Sequence, residues 1–230
     1  SDPFIVLDDA DLGYAASKAS RARNLNSGQS CIAAKRFIVH EDVYEGFVER
    51  FVSEVESLKV GDPTDDETDV GPQARPDLME SLHSQVVESV EAGATVETGG
   101  EPLDSEGAFY PPTVLTDVPE GCPASEEETF GPVAAVIEVS DEEEAIEVAN
   151  DTEYGLGASV WTRDVERGEA MASEIDSGMV FVNELVKSDP RLPFGGVKES
   201  GYGRELARDG ILEFVNTKTV WVDTDAGGSE

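Results

Sequence analysis

The chain has 230 residues, 39% of them hydrophobic, and its 50 acidic and 16 basic residues give a formal net charge of −34. This length and apolar content predict a folded domain with a sizeable core, and the charge excludes binding to phosphate backbones or to anionic membrane surfaces. Two cysteines are too few for a disulfide framework, and we find neither a signal peptide nor a membrane-spanning apolar run, which favours a soluble cytoplasmic protein.

The acidic residues are spread along the chain, for example over 62–69, 126–128 and 141–144. A nucleic-acid mimic or an interaction tail would concentrate its charge in one tract, so we regard that class as the weaker alternative. Dispersed acidity with few lysines favours a solvated surface suited to high salt, where screening removes the self-repulsion. The composition therefore predicts a halophilic protein.

Strand-like and helix-like segments alternate along the chain. Apolar runs predict strands, and Ala-rich or helically spaced apolar residues predict helices, with Gly93 ending one of them. In chain order these are strand 4–7, helix 11–25, strand 36–40, helices 43–58 and 78–92, strands 95–98, 110–115 and 133–139, helix 142–150, strand 157–162, helix 164–176 and strand 179–183. The alternation predicts an α/β fold with a mainly parallel sheet flanked by helices.

A last strand-like run, at residues 217–222, has no neighbouring element in sequence with which to pair. An isolated terminal strand needs a sheet edge, and we expect that edge to belong to another subunit.

Cys31 follows a Gly28-Gln29-Ser30 turn and precedes small residues that we expect to open a helix. A helix start would place N–H groups and a partial positive charge beside the sulfur, which favours a thiolate and stabilises an oxyanion. On these residues alone, an inert buried thiol stays the commoner alternative.

Other motifs for cofactors and metals are weak. The glycine pairs Gly99-Gly100 and Gly195-Gly196 lack the spacing of a glycine-rich dinucleotide fingerprint. His40 and His83 have no metal-ligand spacing, so no metal site is predicted.

Five segments, in order, resemble the aldehyde dehydrogenase superfamily, and together they span nearly the whole chain. They are residues 26–31 (NSGQSC), 110–115 (YPPTVL), 127–132 (EETFGP), 178–183 (GMVFVN) and 193–205 (PFGGVKESGYGRE). The resemblance implies a catalytic domain over residues 1–214, an oligomerisation strand over 215–223 and a disordered tail over 224–230. It also implies a homo-oligomer, either a dimer or a tetramer.

The resemblance implies covalent oxidation of an aldehyde to a carboxylic acid with NAD or NADP. Cys31 matches the nucleophile, which forms a thiohemiacetal and then a thioester. Glu128 matches the residue that binds the nicotinamide ribose, and Phe130 the aromatic beside the nicotinamide ring. Phe194 matches an aromatic residue of the substrate tunnel. The alternatives for these residues are a surface acid for Glu128 and core packing for the two phenylalanines.

The segment 187–191 (KSDPR) is similar to that of enzymes such as succinate-semialdehyde dehydrogenase. This similarity implies that Ser188 or Arg191 holds a substrate carboxylate; otherwise Arg191 only neutralises an acidic surface. One departure is Leu25, which stands where well-known members of that branch carry an arginine, with Arg23 nearby.

In the family, the general-base glutamate directly precedes the residues aligned with 1–4, and most of the nucleotide site lies in the preceding domain. We therefore expect this segment alone to lack dehydrogenase turnover. A different class of function is a non-enzymatic truncated paralogue that joins full-length subunits through its terminal strand.

Overall fold

The computed structural model describes residues 2–224, which contain nine β-strands and seven α-helices. The strands are Pro3–Val6 (β1), Arg36–His40 (β2), Thr95–Thr98 (β3), Thr113–Thr116 (β4), Val133–Val139 (β5), Tyr154–Gly155 (β6), Gly157–Trp161 (β7), Met179–Val182 (β8) and Val197–Lys198 (β9). The helices are Leu12–Asn24 (α1), Tyr44–Glu56 (α2), Pro76–Ala92 (α3), Pro123–Glu126 (α4), Glu142–Asn150 (α5), Val165–Ala172 (α6) and Ala207–Leu212 (α7).

Seven of these strands form one sheet in the order β3-β4-β5-β2-β1-β7-β8. All neighbours pair in parallel except β3, which lies antiparallel to β4 at one edge. The predicted α/β fold with a mainly parallel sheet is therefore confirmed. β6 and β9 form a separate antiparallel pair.

The central strands of the sheet are buried on both faces, which explains their apolar runs. Phe4 and Val6 of β1 belong to the core cluster that contains α1 and α2 residues, whereas Ile5 belongs to the cluster that contains α5 and α6 residues. This split follows the two-residue period of a strand. Aromatic rings fill the first cluster, with Phe4 stacked on Trp161 at 4.8 Å between ring centroids.

Aspartates fix the starts of three helices. Asp11, Asp141 and Asp164 each precede a helix and accept a hydrogen bond from a backbone N–H of its first turn. This is the N-cap arrangement that satisfies an otherwise unpaired helical donor.

The carboxyl-terminal edge of the sheet carries a charge network around Arg167 of α6. Its guanidinium contacts Asp8 at 2.7 Å and Asp9 at 3.4 Å, both after β1, and it also pairs with Glu142 of α5. Asp9 also accepts a hydrogen bond from the Thr162 hydroxyl at 2.7 Å. The network therefore joins the ends of two strands to two helices.

Two sequence-based expectations about local structure are wrong. No helix follows Cys31, because the chain makes a turn and then enters β2, where the Lys35 N–H pairs with the Asp2 carbonyl at 3.1 Å. The strand predicted at 110–115 begins only at Thr113, because the two prolines before it have no N–H to donate to a ladder.

The C-terminal segment forms no strand within the described chain. Val220, Trp221 and Val222 are 74%, 89% and 73% exposed, so nothing in the described part of this chain covers them. The oligomerisation strand therefore stays a prediction, and residues 225–230 of the predicted tail lie outside the described residues. Across residues 2–224, the helices fall short of the length and apolar character needed to cross a bilayer.

Candidate active site

Several segments that lead into parallel strands meet at the amino-terminal edge of the sheet. Asp2 precedes β1, Cys31 precedes β2, Glu128 lies before β5 and Leu156 before β7. Together with the loop after β8, they enclose a cavity of about 320 Å³. The cavity is lined by Asp2, Cys31, Glu128, Tyr154, Leu156, Phe194, Glu199 and Ser200.

Cys31 is exposed in this cavity, whereas the second thiol, Cys122, is buried. The turn before Cys31 runs through left-handed backbone, with φ of 53° at Asn26, 54° at Ser27 and 73° at Gly28. Left-handed backbone costs a residue with a side chain about 1–2 kcal/mol, so other contacts have to hold this turn.

A segment more than forty residues away supplies several of those contacts. The Gly71 N–H donates to Ser27 Oγ at 3.0 Å, and Gln73 Nε2 donates to the Ser27 carbonyl at 3.2 Å. The Ala74 N–H donates to Gln29 Oε1 at 2.8 Å. The nucleophile turn is therefore built by tertiary contacts rather than by a helix start.

Two cations lie buried under the turn. Arg23 is fully buried, and its Nη2 donates to the Gly28 carbonyl at 2.7 Å. Arg23 does not line the cavity, so it does not replace the arginine that the family resemblance places at the position of Leu25. The other cation is Lys35, whose Nζ donates to the Cys31 carbonyl at 3.1 Å.

Asp2 is a buried acid at the floor of the cavity. Its Oδ1 accepts a hydrogen bond from the Gly157 N–H at 3.2 Å, and its Oδ2 has no hydrogen-bond partner among the described residues. Burial raises the pKa of Asp2 to about 7, against the opposing attraction of the Lys35 ammonium.

Glu128 and Phe130 lie on the segment that enters β5. The Glu128 side chain is 32% exposed, and its Oε1 lies 3.1 Å from Lys35 Nζ. The Phe130 ring is 41% exposed, with Lys35 Nζ 5.9 Å from its centroid. A partly exposed carboxylate beside a partly exposed ring fits a ribose diol next to a planar base.

Phe194 lies on the loop after β8 and reaches the cavity that contains Cys31. Its backbone N–H and carbonyl both pair with Glu205, at 2.8 and 2.6 Å. Gly178 lies against the backbone of Gly195, where a β-carbon would overlap the Gly195 carbonyl. This close approach sets the position of the Phe194 loop.

Ser188 and Arg191 are exposed and do not line the cavity. The Arg191 guanidinium binds Asp189 in a bidentate pair, at 2.9 and 2.6 Å, and this pair lowers the pKa of Asp189. Of the predicted site residues, Cys31, Glu128 and Phe194 therefore line the cavity, whereas Phe130, Ser188 and Arg191 do not.

The charged lining residues of the cavity are Asp2, Glu128 and Glu199, all acidic. Sequence reasoning missed Asp2, Glu199 and Lys35 as parts of the site. One signal was available: Lys35 and Arg36 stand at the start of an apolar strand. Basic residues are rarely buried without partners, so this position indicated acidic or carbonyl groups nearby.

Comparison with known proteins places the chain in a family. The profile described as the aldehyde dehydrogenase family matches residues 1–220. The chain is 54% identical, over 96% of its length, to a probable NADP⁺-dependent succinate-semialdehyde dehydrogenase of Synechocystis sp.. It is 53% identical, over 99% of its length, to a succinate-semialdehyde dehydrogenase [NADP⁺] of Mycolicibacterium paratuberculosis. The chain covers 49% of each of these proteins, about half their length.

A solved structure supports the same family assignment. Succinic semialdehyde dehydrogenase of Streptococcus pyogenes, in complex with NADP⁺, superposes with a TM-score of 0.92 at 40% identity. The match covers 96% of this chain and 49% of that one.

Proposed function

Because the chain belongs to the aldehyde dehydrogenase family, we propose that it forms the catalytic half of an NAD(P)-dependent enzyme that oxidises an aldehyde, with succinate semialdehyde as substrate. The observation that carries this proposal is Cys31, an exposed thiol in a cavity that Glu128 and Phe194 also line. In the proposed domain organisation, residues 1–214 form the catalytic domain and residues 215–223 the oligomerisation strand.

The proposed chemistry is covalent. Cys31 Sγ, as a thiolate, bonds to the aldehyde carbon, and the carbonyl oxygen becomes an oxyanion to which the Cys31 N–H donates. Loss of hydride from that carbon leaves a thioester on Cys31. Water then attacks the thioester carbon and the C–S bond breaks. The product leaves as a carboxylate, the two protons of the water pass to solvent, and the thiolate of Cys31 is restored.

A nicotinamide cofactor, when bound, supplies the oxidant for the second step. In this proposal the Glu128 carboxylate accepts hydrogen bonds from the ribose diol, and Phe130 packs beside the ring. Their partial exposure, 32% for the Glu128 side chain and 41% for Phe130, supports these roles. The named relatives that use NADP⁺ favour that nucleotide.

The carboxylate end of the substrate has to lie away from Glu128 and Glu199, because like charges repel. The loop that carries Phe194 also carries Ser188 and Arg191, and we propose that these two residues receive that end. Arg191 would then share its guanidinium between Asp189 and the substrate.

The test uses the purified 230-residue chain and iodoacetamide labelling, read by peptide mass spectrometry. Cys31 should label quickly and Cys122 slowly, and succinate semialdehyde should slow the labelling of Cys31 by forming the thiohemiacetal. Cys31→Ser supplies the control without this thiol. Equal labelling of Cys31 with and without every aldehyde tested would contradict the proposal.

We also propose that the 230-residue polypeptide alone keeps this reactive thiol but does not turn over. The assay is aldehyde-dependent formation of NADPH or NADH at saturating nucleotide. Measurable turnover by the isolated chain would overturn this part of the proposal and leave the labelling result intact.

A further inference from the structure

Lys35 contacts the backbone of Cys31 and the side chain of Glu128, and it lies near the Phe130 ring. Its Nζ donates to the carbonyls of Cys31 and Ala33 at 3.1 and 3.0 Å, and to that of Ser30 at 3.4 Å. The same atom lies 3.1 Å from Glu128 Oε1 and 5.9 Å from the centre of the Phe130 ring. Two segments far apart in sequence thus meet at one ammonium.

The burial of Lys35 shows that these contacts have to stabilise it. Its side chain is 1% exposed, and removing an ammonium from water costs several kcal/mol unless its partners compensate. Carbonyl dipoles from the nucleophile turn, the Glu128 carboxylate and the carboxyl group of Asp2 face the charge. Arg23 opposes it.

Other contacts hold the earlier part of the turn, among them the close backbone approach of Gly28 to Gly131. Arg23 holds the Gly28 carbonyl, three residues before the nucleophile, whereas Lys35 holds the carbonyl of the nucleophile itself. A carboxylate that pulls on Lys35 therefore acts on the position of Cys31.

We propose that Lys35 is a positioning residue that couples the Glu128 carboxylate to the turn that carries Cys31. The proposal rests on the proposed function, which gives Glu128 the cofactor ribose and Cys31 the aldehyde. Occupation of Glu128 by a diol is then transmitted to the nucleophile through one ammonium, without movement of the sheet.

The experiment measures amide hydrogen exchange in the full 230-residue chain, in peptides that cover residues 29–35. Lys35→Met keeps the length of the side chain but removes its N–H donors, so a role in packing alone would leave exchange unchanged. We expect at least tenfold faster exchange in K35M and a smaller increase in Glu128→Gln. In the double variant, E128Q should add nothing to K35M, because Glu128 acts through Lys35.

Lys59→Met is the matched control, since Lys59 pairs with Glu67 on the surface with its side chain 61% exposed. Exchange in residues 29–35 should match wild type in K59M. Unchanged exchange in K35M, or additive effects of K35M and E128Q, would overturn the proposal.

A pH profile adds a readout that packing would not move. Burial, together with the nearby Arg23 charge, lowers the pKa of Lys35. Protection relative to the intrinsic exchange rate should fall in wild type as the pH rises through the deprotonation of Lys35, and stay flat in K35M. The other titratable groups around Nζ, namely Asp2, Arg23 and Glu128, are present in both proteins, so any step that they cause appears in both. Identical pH profiles of wild type and K35M would overturn the proposal.

Two further results keep the outcome interpretable. If exchange in K35M also becomes faster in the peptide 133–139 of β5, that variant has unfolded. The E128Q variant then decides alone, because the Glu128 side chain is partly exposed. Unchanged turn exchange in E128Q then refutes the coupling. If aldehyde protects Cys31 from labelling but the coupling fails, the proposed function stands and the coupling is refuted. If the coupling is observed but no aldehyde protects Cys31, the proposed function is refuted, and only the physical link between Glu128 and the turn remains.

Discussion

Gly28 and Gly131 lie in direct backbone contact, which joins the turn that carries Cys31 to the segment that carries Glu128. A β-carbon on Gly28 would overlap the carbonyl group of Gly131 and lie 2.6 Å from the Pro132 nitrogen. The φ of Gly28 is +73°, in the left-handed region that favours glycine. Both the contact and the conformation therefore require a residue without a side chain.

Gly28→Ala should lower the free energy of unfolding by about 3 kcal/mol or more, because a left-handed alanine costs about 1 kcal/mol and the overlap is with rigid backbone. Gly201→Ala is the control: its φ is +119°, but nothing lies within 4 Å of its β-carbon. Urea unfolding at fixed salt gives both values. Equal destabilisation of the two variants would show that the Gly28 contact is not tight.

Asp2→Asn should change how stability depends on pH. The pKa of Asp2 is about 7 in the folded chain and 3.8 as its ordinary value, so between these pH values the native state binds a proton that the unfolded state has released. The free energy of unfolding therefore falls as pH rises through this window, by up to about 4 kcal/mol. The side-chain amide of the D2N variant does not titrate, so that variant should lack this fall.

The measurement for Asp2 compares wild type and D2N in urea at pH 4.5 and pH 7.5, at one ionic strength. The two should be similar at the lower pH, and D2N should be the more stable at the higher pH. Parallel pH dependences would mean that Asp2 does not retain its proton in the folded chain.

Salt should stabilise the chain well into the molar range, because we propose that its surface is adapted to high salt. A net charge of −34 opposes compaction, and the screening length falls from about 10 Å at 0.1 M salt to about 3 Å at 1 M. Thermal unfolding in increasing KCl, with sucrose as a non-ionic control, measures the effect. A melting temperature that does not change with KCl would argue against salt adaptation.

Replacing Val220 and Trp221 by serine should convert an oligomer into a smaller species without changing the melting temperature of the subunit. Both side chains are largely exposed, at 74% and 89%, so the proposed role for them is contact with another subunit. Tyr202→Ser is the control, because Tyr202 is as exposed but lies outside this segment. Light scattering after gel filtration reports the mass. A monomeric wild type, or a double variant that keeps its mass, would refute this role.

Arg191→Ala should remove the preference of Cys31 for succinate semialdehyde over butanal, an aldehyde without the carboxylate. A hydrogen bond to a charged group contributes about 1.5–3 kcal/mol, so protection by the semialdehyde should weaken about tenfold or more. Arg75→Ala is closely matched, since Arg75 binds Asp77 in the same bidentate way, at 2.9 and 2.8 Å. The same loss in both variants, or in neither, would remove Arg191 from the substrate site.

Much of the fold can be predicted from the sequence for a physical reason. Strands of a parallel sheet are buried on both faces, so β1, β2 and β5 contain the apolar runs 4–6, 37–39 and 133–137. Aspartates mark helix starts and Gly93 marks a helix end, because capping depends on residues next to each other in the chain and can be read from the sequence. Helix and strand types are therefore predicted well, and errors concentrate at ends such as Thr113.

The candidate site is less predictable because its residues are held by contacts between distant segments. The turn before Cys31 depends on hydrogen bonds to residues 71–74, so its local sequence suggests a helix that the chain does not form. Lys35 and Asp2 are charged residues that local sequence places on the surface. Their burial depends on how four loops converge, and no spacing rule encodes that.

The cavity that contains Cys31 lies at the amino-terminal edge of the sheet, whereas Arg167 and its acidic partners clamp the opposite edge. The two edges are separated by the length of the strands. We therefore expect substitutions in the loops around Asp8 and Glu142 to change stability without changing the lining of the Cys31 cavity. The sheet keeps the two edges apart, so one edge can vary in evolution or by engineering while the other keeps its shape.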